Sequence, residues 1–86
     1  MSHRVEVTRR ALKGLAALPA GIRSDLSGHI AALGADPRPQ GSEPLRREFA
    51  GCRKLRVGDY RVVYAIERDG HTVVVLRVGH RHNVYK

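Results

Sequence analysis

The chain begins with strict alternation. In residues 3–8, HRVEVT, Val5 and Val7 share one face and polar residues the other, which predicts a short first strand. Thr8 is placed to cap a helix, because its hydroxyl oxygen can accept an orphan backbone N–H at a helix start. The period then changes. Ala11, Leu12, Leu15, Ala16 and Leu18 recur at helical spacing over residues 9–18, and Pro19 ends that helix and starts the next. In the second helix Ile22, Leu26, Ile30 and Leu33 form a stripe at i, i+4, i+8 and i+11, closed by Gly34. Two helices with so short a link form an antiparallel hairpin.

The next stretch, ADPRPQGSEP, reads as a loop, since Pro37, Pro39, Gly41 and Pro44 break both helix and ladder. Three strands come after it, over residues 52–57, 60–68 and 72–80. Gly58-Asp59 is a two-residue hairpin signal, and Asp69-Gly70 marks the second turn. The order β-α-α-β-β-β predicts an α+β domain spanning residues 1–86: a four-stranded antiparallel sheet packed on an N-terminal helical hairpin, with the other sheet face open.

Parity assigns residues to the two faces. A two-residue turn at Gly58-Asp59 pairs Val57 with Tyr60 and sets Arg56 opposite Arg61, with Lys54 beside Val63. Tyr60, Val62, Tyr64 and Ile66 then face the helices. For the last hairpin, a loop of Asp69 to His71 pairs Val62 with Val78, Tyr64 with Leu76 and Ile66 with Val74. It is preferred over a two-residue loop, which would point Arg77 at the core. Lys54, Arg56, Arg61, Arg77 and Arg81 are thereby gathered on the open face, with Tyr85 close by.

Charge gives that face its meaning. Sixteen basic residues stand against eight acidic ones, a formal net charge of +8. Arg46, Arg47, Arg53, Lys54, Arg56 and Arg61 fall between Leu45 and Arg61, against only Glu48 and Asp59. From Gly70 onward there are Arg77, Arg81, Lys86 and three histidines, His71, His80 and His82, and no acid. Clustered arginine suits phosphate, whose oxygens match the guanidinium fork. Close like charges cost stability, and a polyanion relieves that cost. Eighty-six residues make one modest core. The apolar runs are too short for a membrane span, the N-terminus lacks the apolar stretch of a signal peptide, and the single cysteine, Cys52, fits a reducing compartment. The expected location is the cytoplasm, with no membrane partner. The histidines and Cys52 offer no clear third ligand for zinc, so no metal or other cofactor is expected.

The stretch KLRVGDYRVVYAI, then VVVLRVGHR and a terminal VY, resembles the RelE toxins of bacterial toxin–antitoxin pairs, in the RelE/ParE superfamily. The resemblance covers essentially the whole chain and is most specific from Lys54 to Tyr85. It implies a ribosome-dependent mRNA endoribonuclease that inhibits translation, in which the RNA 2′-hydroxyl attacks the adjacent phosphate and the 5′ oxygen leaves. By position, Lys54 matches the lysine that stabilises developing charge in the Lys-x-Lys-Leu-Arg pattern. Arg61 matches the arginine that grips the scissile phosphate, Arg81 the one that protonates the leaving oxygen, and Tyr85 the tyrosine that stacks on or orients the nucleotide. Cys52 occupies the position of the pattern's first lysine, the family's proposed general base. His80 or His82, or the ribosome or solvent, is then left to take the 2′ proton. Arg46, Arg47, Arg53, Arg56, Arg77, His80, His82 and Lys86 are the expected RNA- and ribosome-binding residues. The implied partners are the ribosome and its mRNA and a RelB-like antitoxin encoded adjacently, whose complex with the toxin binds operator DNA.

Two other readings fit parts of the sequence. A ParE-like DNA gyrase inhibitor shares the fold and acts by binding a protein. A non-catalytic nucleic-acid-binding module would need only the charge. The plain reading of Arg56 and Arg77 is as solvated strand positions, and that of Tyr60 and Tyr64 is as core.

Overall fold

The computed structural model describes residues 3–85. Its elements are β1 (Arg4–Val7), α1 (Arg9–Ala16), α2 (Ala20–Ala32), β2 (Ser42–Pro44), a 3₁₀ turn (Arg47–Phe49), β3 (Cys52–Val57), β4 (Tyr60–Ile66) and β5 (Thr72–His80). The α+β class and the helix pair are as expected, but the sheet is five-stranded and mixed, in the order β1-β5-β4-β3-β2. Two corrections account for the difference. The loop contributes a short edge strand, with Ser42, Glu43 and Pro44 paired to Leu55, Lys54 and Arg53. Proline is tolerated there because an edge strand can leave a donor position empty. In addition, β1 runs parallel to β5, with Val5 opposite Val73 and Val7 opposite Val75. No turn joins these two strands, so no local signal in the sequence sets their direction.

The β3–β4 hairpin has the expected register: Lys54 opposite Val63, Arg56 opposite Arg61 and Val57 opposite Tyr60. Gly58 turns the corner at φ +59°, a conformation that glycine adopts without strain. The β4–β5 register is a compromise between the two loops considered. Val62 faces Val78 and Val63 faces Arg77, but beyond an irregularity between Val63 and Tyr64 the partners become Tyr64–Val75 and Ile66–Val73. A bulge at Leu76 absorbs the extra residue. Its effect is to keep Val73, Val75 and Val78 all buried against the helices while Arg77 stays on the other face. Pure alternation cannot achieve that. Thr8 secures the bulge: its Oγ1 caps α1 by accepting the Ala11 N–H (3.1 Å) and donates to the Leu76 carbonyl (3.1 Å).

The core lies between the helices and one sheet face, and includes Ala11, Leu26, Ile30, Leu33, Val62, Tyr64, Val73 and Val75. Tyr64 is fully buried and donates its hydroxyl to the Pro37 carbonyl (2.7 Å), which ties the loop after α2 to the sheet. Gly34 does not adopt the left-handed cap conformation; what it supplies is space, since a side chain there would press on the His3 carbonyl at 2.9 Å.

Gly14 sets how closely α1 approaches β5. A methyl group there would collide with the Val78 carbonyl oxygen. Gly14→Ala is therefore expected to destabilise the protein by about 1–3 kcal/mol through overpacking, despite alanine's higher helix propensity. Chemical denaturation would measure it, and an unchanged or raised midpoint would contradict the packing account.

Candidate functional site

The sheet face away from the helices carries two cross-strand rows. One runs Glu43, Lys54, Val63, Arg77, and the next Arg56, Arg61, Gly79. The expected grouping of Lys54, Arg56, Arg61 and Arg77 on one face is thus present in the register. The face is not fully open, however. Val63 at its centre is completely buried. Residues 81–85 turn back over it: Val84 lies within contact range of Gly79, and the Val84 carbonyl accepts a hydrogen bond from Arg77 (3.4 Å). Val84 and Asn83 are held in a turn by backbone N–H bonds to the His80 carbonyl (3.0 and 2.8 Å). This return places the Tyr85 ring 5.9 Å from the Arg61 guanidinium carbon.

Loop residues 45–49 face this segment and complete a cleft of about 480 Å³ lined by Arg46, Arg47, Phe49, Lys54, Arg61 and Tyr85, with Leu45 and Glu48. The loop's turn has a stressed member: Arg47 has φ 60°. A non-glycine residue in that region costs of order 1–3 kcal/mol and tends to be retained beside functional sites. Next to it, Phe49 meets Tyr85 at 5.4 Å between ring centroids with a 60° tilt, and the Arg77 guanidinium carbon lies 4.8 Å from its centroid. Arg77, Phe49, Tyr85 and Arg61 therefore form a continuous row in which two touching rings are flanked by a cation at each end.

Lys54 Nζ approaches Glu43 Oε2 at 3.7 Å. The glutamate side chain is 69% exposed, so the pair contributes roughly 0–1 kcal/mol and orients the lysine without cancelling its field. Two donors of the site, Arg61 Nε and the Tyr85 hydroxyl, are shielded from solvent and have no hydrogen-bond partner among the described residues. Both can donate, so an acceptor such as a phosphate oxygen is what would satisfy them.

The other expected residues are dispersed. Arg81 continues the Arg61 parity but sits exposed in the turn after β5, its backbone N–H held by the Asp59 carbonyl (2.8 Å), and it does not line the cleft. Arg53 faces the opposite way and donates to Ser42 Oγ (2.9 Å). His80 shares the parity of Val78, on the helix side, where it meets Tyr60 edge-on at 5.5 Å and stacks with the exposed His82 at 5.1 Å. Arg56 is exposed at the hairpin end, its Nε 3.5 Å from the Gly58 carbonyl. Arg46 and Arg47 are exposed on the cleft's loop. Lys86 lies outside the described residues. Sequence reasoning missed Phe49, Glu43 and Glu48. For Phe49 a signal existed: the chain's sole phenylalanine stands in a basic stretch, and an aromatic ring among cations is the pattern of nucleic-acid surfaces.

Comparison with known proteins now decides the family. Residues 5–85 match the model of the ParE toxin of type II toxin–antitoxin systems. The chain belongs to the RelE/ParE superfamily of toxins. It is 38% identical to the toxin RelG of Mycobacterium tuberculosis over 87 residues, covering 100% of this chain and 99% of the relative. It is 33% identical to the toxin RelE of the same organism over 85 residues, 98% of this chain and 87% of the relative. In fold it is similar to a chain of the toxin–antitoxin complex RelBE2 from M. tuberculosis, with a TM-score of 0.83 and 36% identity, covering 94% of this chain and 100% of that one. Membership makes this chain a toxin of a toxin–antitoxin system, and no helix among the described residues is long and apolar enough to cross a membrane.

The charge rows predict a salt-dependent affinity for polyanions. Affinity for single-stranded RNA should fall steeply with salt, with a log–log slope of about −0.7 per phosphate contact. Arg61→Ala and Lys54→Ala should each reduce the slope's magnitude by up to about one contact's worth, as read by fluorescence anisotropy over a salt series. A flat salt profile for the wild-type protein would contradict the reading of the face as a phosphate surface.

Proposed function

We propose that this toxin is an endoribonuclease that cuts mRNA on the ribosome and so stops translation. The observation that carries the reading is the convergence of Lys54, Arg61 and Tyr85 on one cleft, reached through three different segments of the chain. In-line attack of a ribose 2′-hydroxyl on the neighbouring phosphate builds up negative charge on a pentavalent centre. Preorganised cations aimed at that charge are commonly the largest catalytic contribution. In this reading Arg61 grips the phosphate and Lys54 stabilises the charge that develops. Tyr85 orients the nucleotide, and the Arg81 side chain reaches in from the rim to protonate the leaving 5′ oxygen. Among the described residues Glu48 is the one carboxylate lining the cleft, and so the anionic acceptor assigned to the 2′ proton. It takes the place that Cys52 does not fill.

The cleft holds no strong nucleophile of its own, so the RNA must supply both the attacking group and its geometry. A ribosome that fixes one nucleotide for attack provides the second. Neutralisation in the cell falls to an antitoxin of the RelB kind. The similarity to a solved RelBE2 toxin–antitoxin complex supports this, as does the cationic face, which suits an acidic partner. That complex would be the species that meets operator DNA.

The family model is named for ParE, which favours a second reading as a gyrase inhibitor. One experiment separates them. Purified toxin is incubated with ribosomes translating a defined mRNA and, separately, with gyrase and relaxed plasmid. The proposal expects new mRNA 5′ ends at ribosome-bound codons, much slower cutting of the same RNA alone, and unaffected supercoiling. Intact mRNA with blocked supercoiling would establish the alternative. Arg61→Ala should lower the cleavage rate by about 10²–10³-fold, and Glu48→Gln should slow cleavage with little effect on RNA affinity. Full toxicity of both variants in cells would remove these assignments.

A further inference from the structure

The cleft wall made by residues 45–49 has chemistry that the roles above leave unused. Phe49 is partly exposed. The Arg77 guanidinium carbon lies 4.8 Å from its ring centroid, and the Tyr85 ring meets it at a 60° tilt and not stacked flat. Phe49 therefore stands apart from the helix-side core, on the opposite face of the sheet. Both rings border the same cleft, and the cations Arg46, Arg47, Lys54 and Arg61 border it with them.

That combination is specific in chemical terms. Aromatic faces stack on nucleobases irrespective of base identity, and neighbouring guanidinium and ammonium groups track the phosphates of the same strand. A cleft of about 480 Å³ is of the size that takes one small ligand unit. A ring used only as filler would be surrounded by aliphatic side chains. This one is braced by an arginine that is itself tethered to the Val84 carbonyl. The brace helps to fix the ring's position. The strained Arg47 backbone just before it sets the loop's direction.

We propose that Phe49 is a second base-stacking wall of the site: a nucleobase of the RNA strand packs across the cleft-facing surface of the touching Phe49–Tyr85 pair, with Arg77 bracing the Phe49 ring. Arg77 on this account is a positioning residue and not a phosphate ligand. The inference rests on the reading of the cleft as an RNA site, yet it is tested without cleavage.

The probe is a short single-stranded RNA with 2-aminopurine at one position, made with 2′-O-methyl riboses so that it cannot be cut. Stacking quenches 2-aminopurine fluorescence. The wild-type toxin is expected to quench it on binding. Phe49→Ala and Phe49→Leu should each weaken binding roughly 5- to 150-fold and lose most of the quenching, while Phe49→Tyr and Phe49→Trp keep both within about threefold. Arg77→Gln should give an intermediate loss, and adding it to Phe49→Leu should not deepen the loss that Phe49→Leu gives alone, because both act through one ring. Thermal melts check folding, and the leucine–tyrosine contrast decides even if the alanine variant is unfolded, since leucine retains bulk and loses only the aromatic face. Wild-type quenching by Phe49→Leu, or no quenching by the wild-type protein, would overturn the proposal. Phe49-dependent quenching by a toxin that cuts nothing on ribosomes would instead uphold the stacking wall and sink the endoribonuclease reading.

Discussion

The organising constraint is the repulsion among cations that the sheet forces onto one face. Arg56 and Arg61 are directly opposite one another, and Lys54 and Arg77 flank a single valine in the next row. Charges directly across a ladder destabilise it. Among the described residues the relief includes an exposed glutamate beside Lys54, a carbonyl and a ring for Arg77, and a ring for Arg61. None of these neutralises Arg61. The site keeps a positive field that a phosphate diester can satisfy, and a face built that way carries its function at a cost to stability.

Fold and site are linked through the bulge in β5. Without it, alternation along β5 would send either Arg77 or part of Val73, Val75 and Val78 to the wrong side. The Thr8 hydroxyl joins the start of α1 to this same point. The helix layer, the register of the sheet and the placing of Arg77 are thus one cooperative unit. The return of residues 81–85 depends on it too, because Gly79 and Arg77 are the positions over which Val84 folds.

How much could be read from the sequence depends on the range of the interactions. Helix stripes, the Thr8 cap, the Gly58 turn and the parity of Lys54, Arg56 and Arg61 are local, and each is visible in a few neighbouring residues. The parallel β1–β5 pair joins the two ends of the chain and leaves no local trace. The β2 edge strand was hidden by Pro44 and by the prolines of the loop before it. The two candidate registers for the last hairpin were both partly correct, and the bulge that reconciles them is a tertiary solution. Parity likewise could not show that the C-terminal turn folds back, so it predicted a bare face where Val63 is buried, and it grouped Arg81 with a cleft that Arg81 does not line. Phe49 escaped because the residues it meets, Arg77 and Tyr85, lie far along the chain from it.

In the proposed mechanism the protein supplies charge and positioning while the RNA supplies the nucleophile. The most direct measurement uses mRNA bound to the ribosome with a single 2′-deoxynucleotide placed 5′ to the cleaved phosphate. The account predicts that cutting at that phosphate disappears while toxin binding is unchanged and neighbouring ribose-bearing sites are still cut. Cleavage at the deoxy position at the normal rate would show that water or a protein group attacks the phosphate, and would contradict the account.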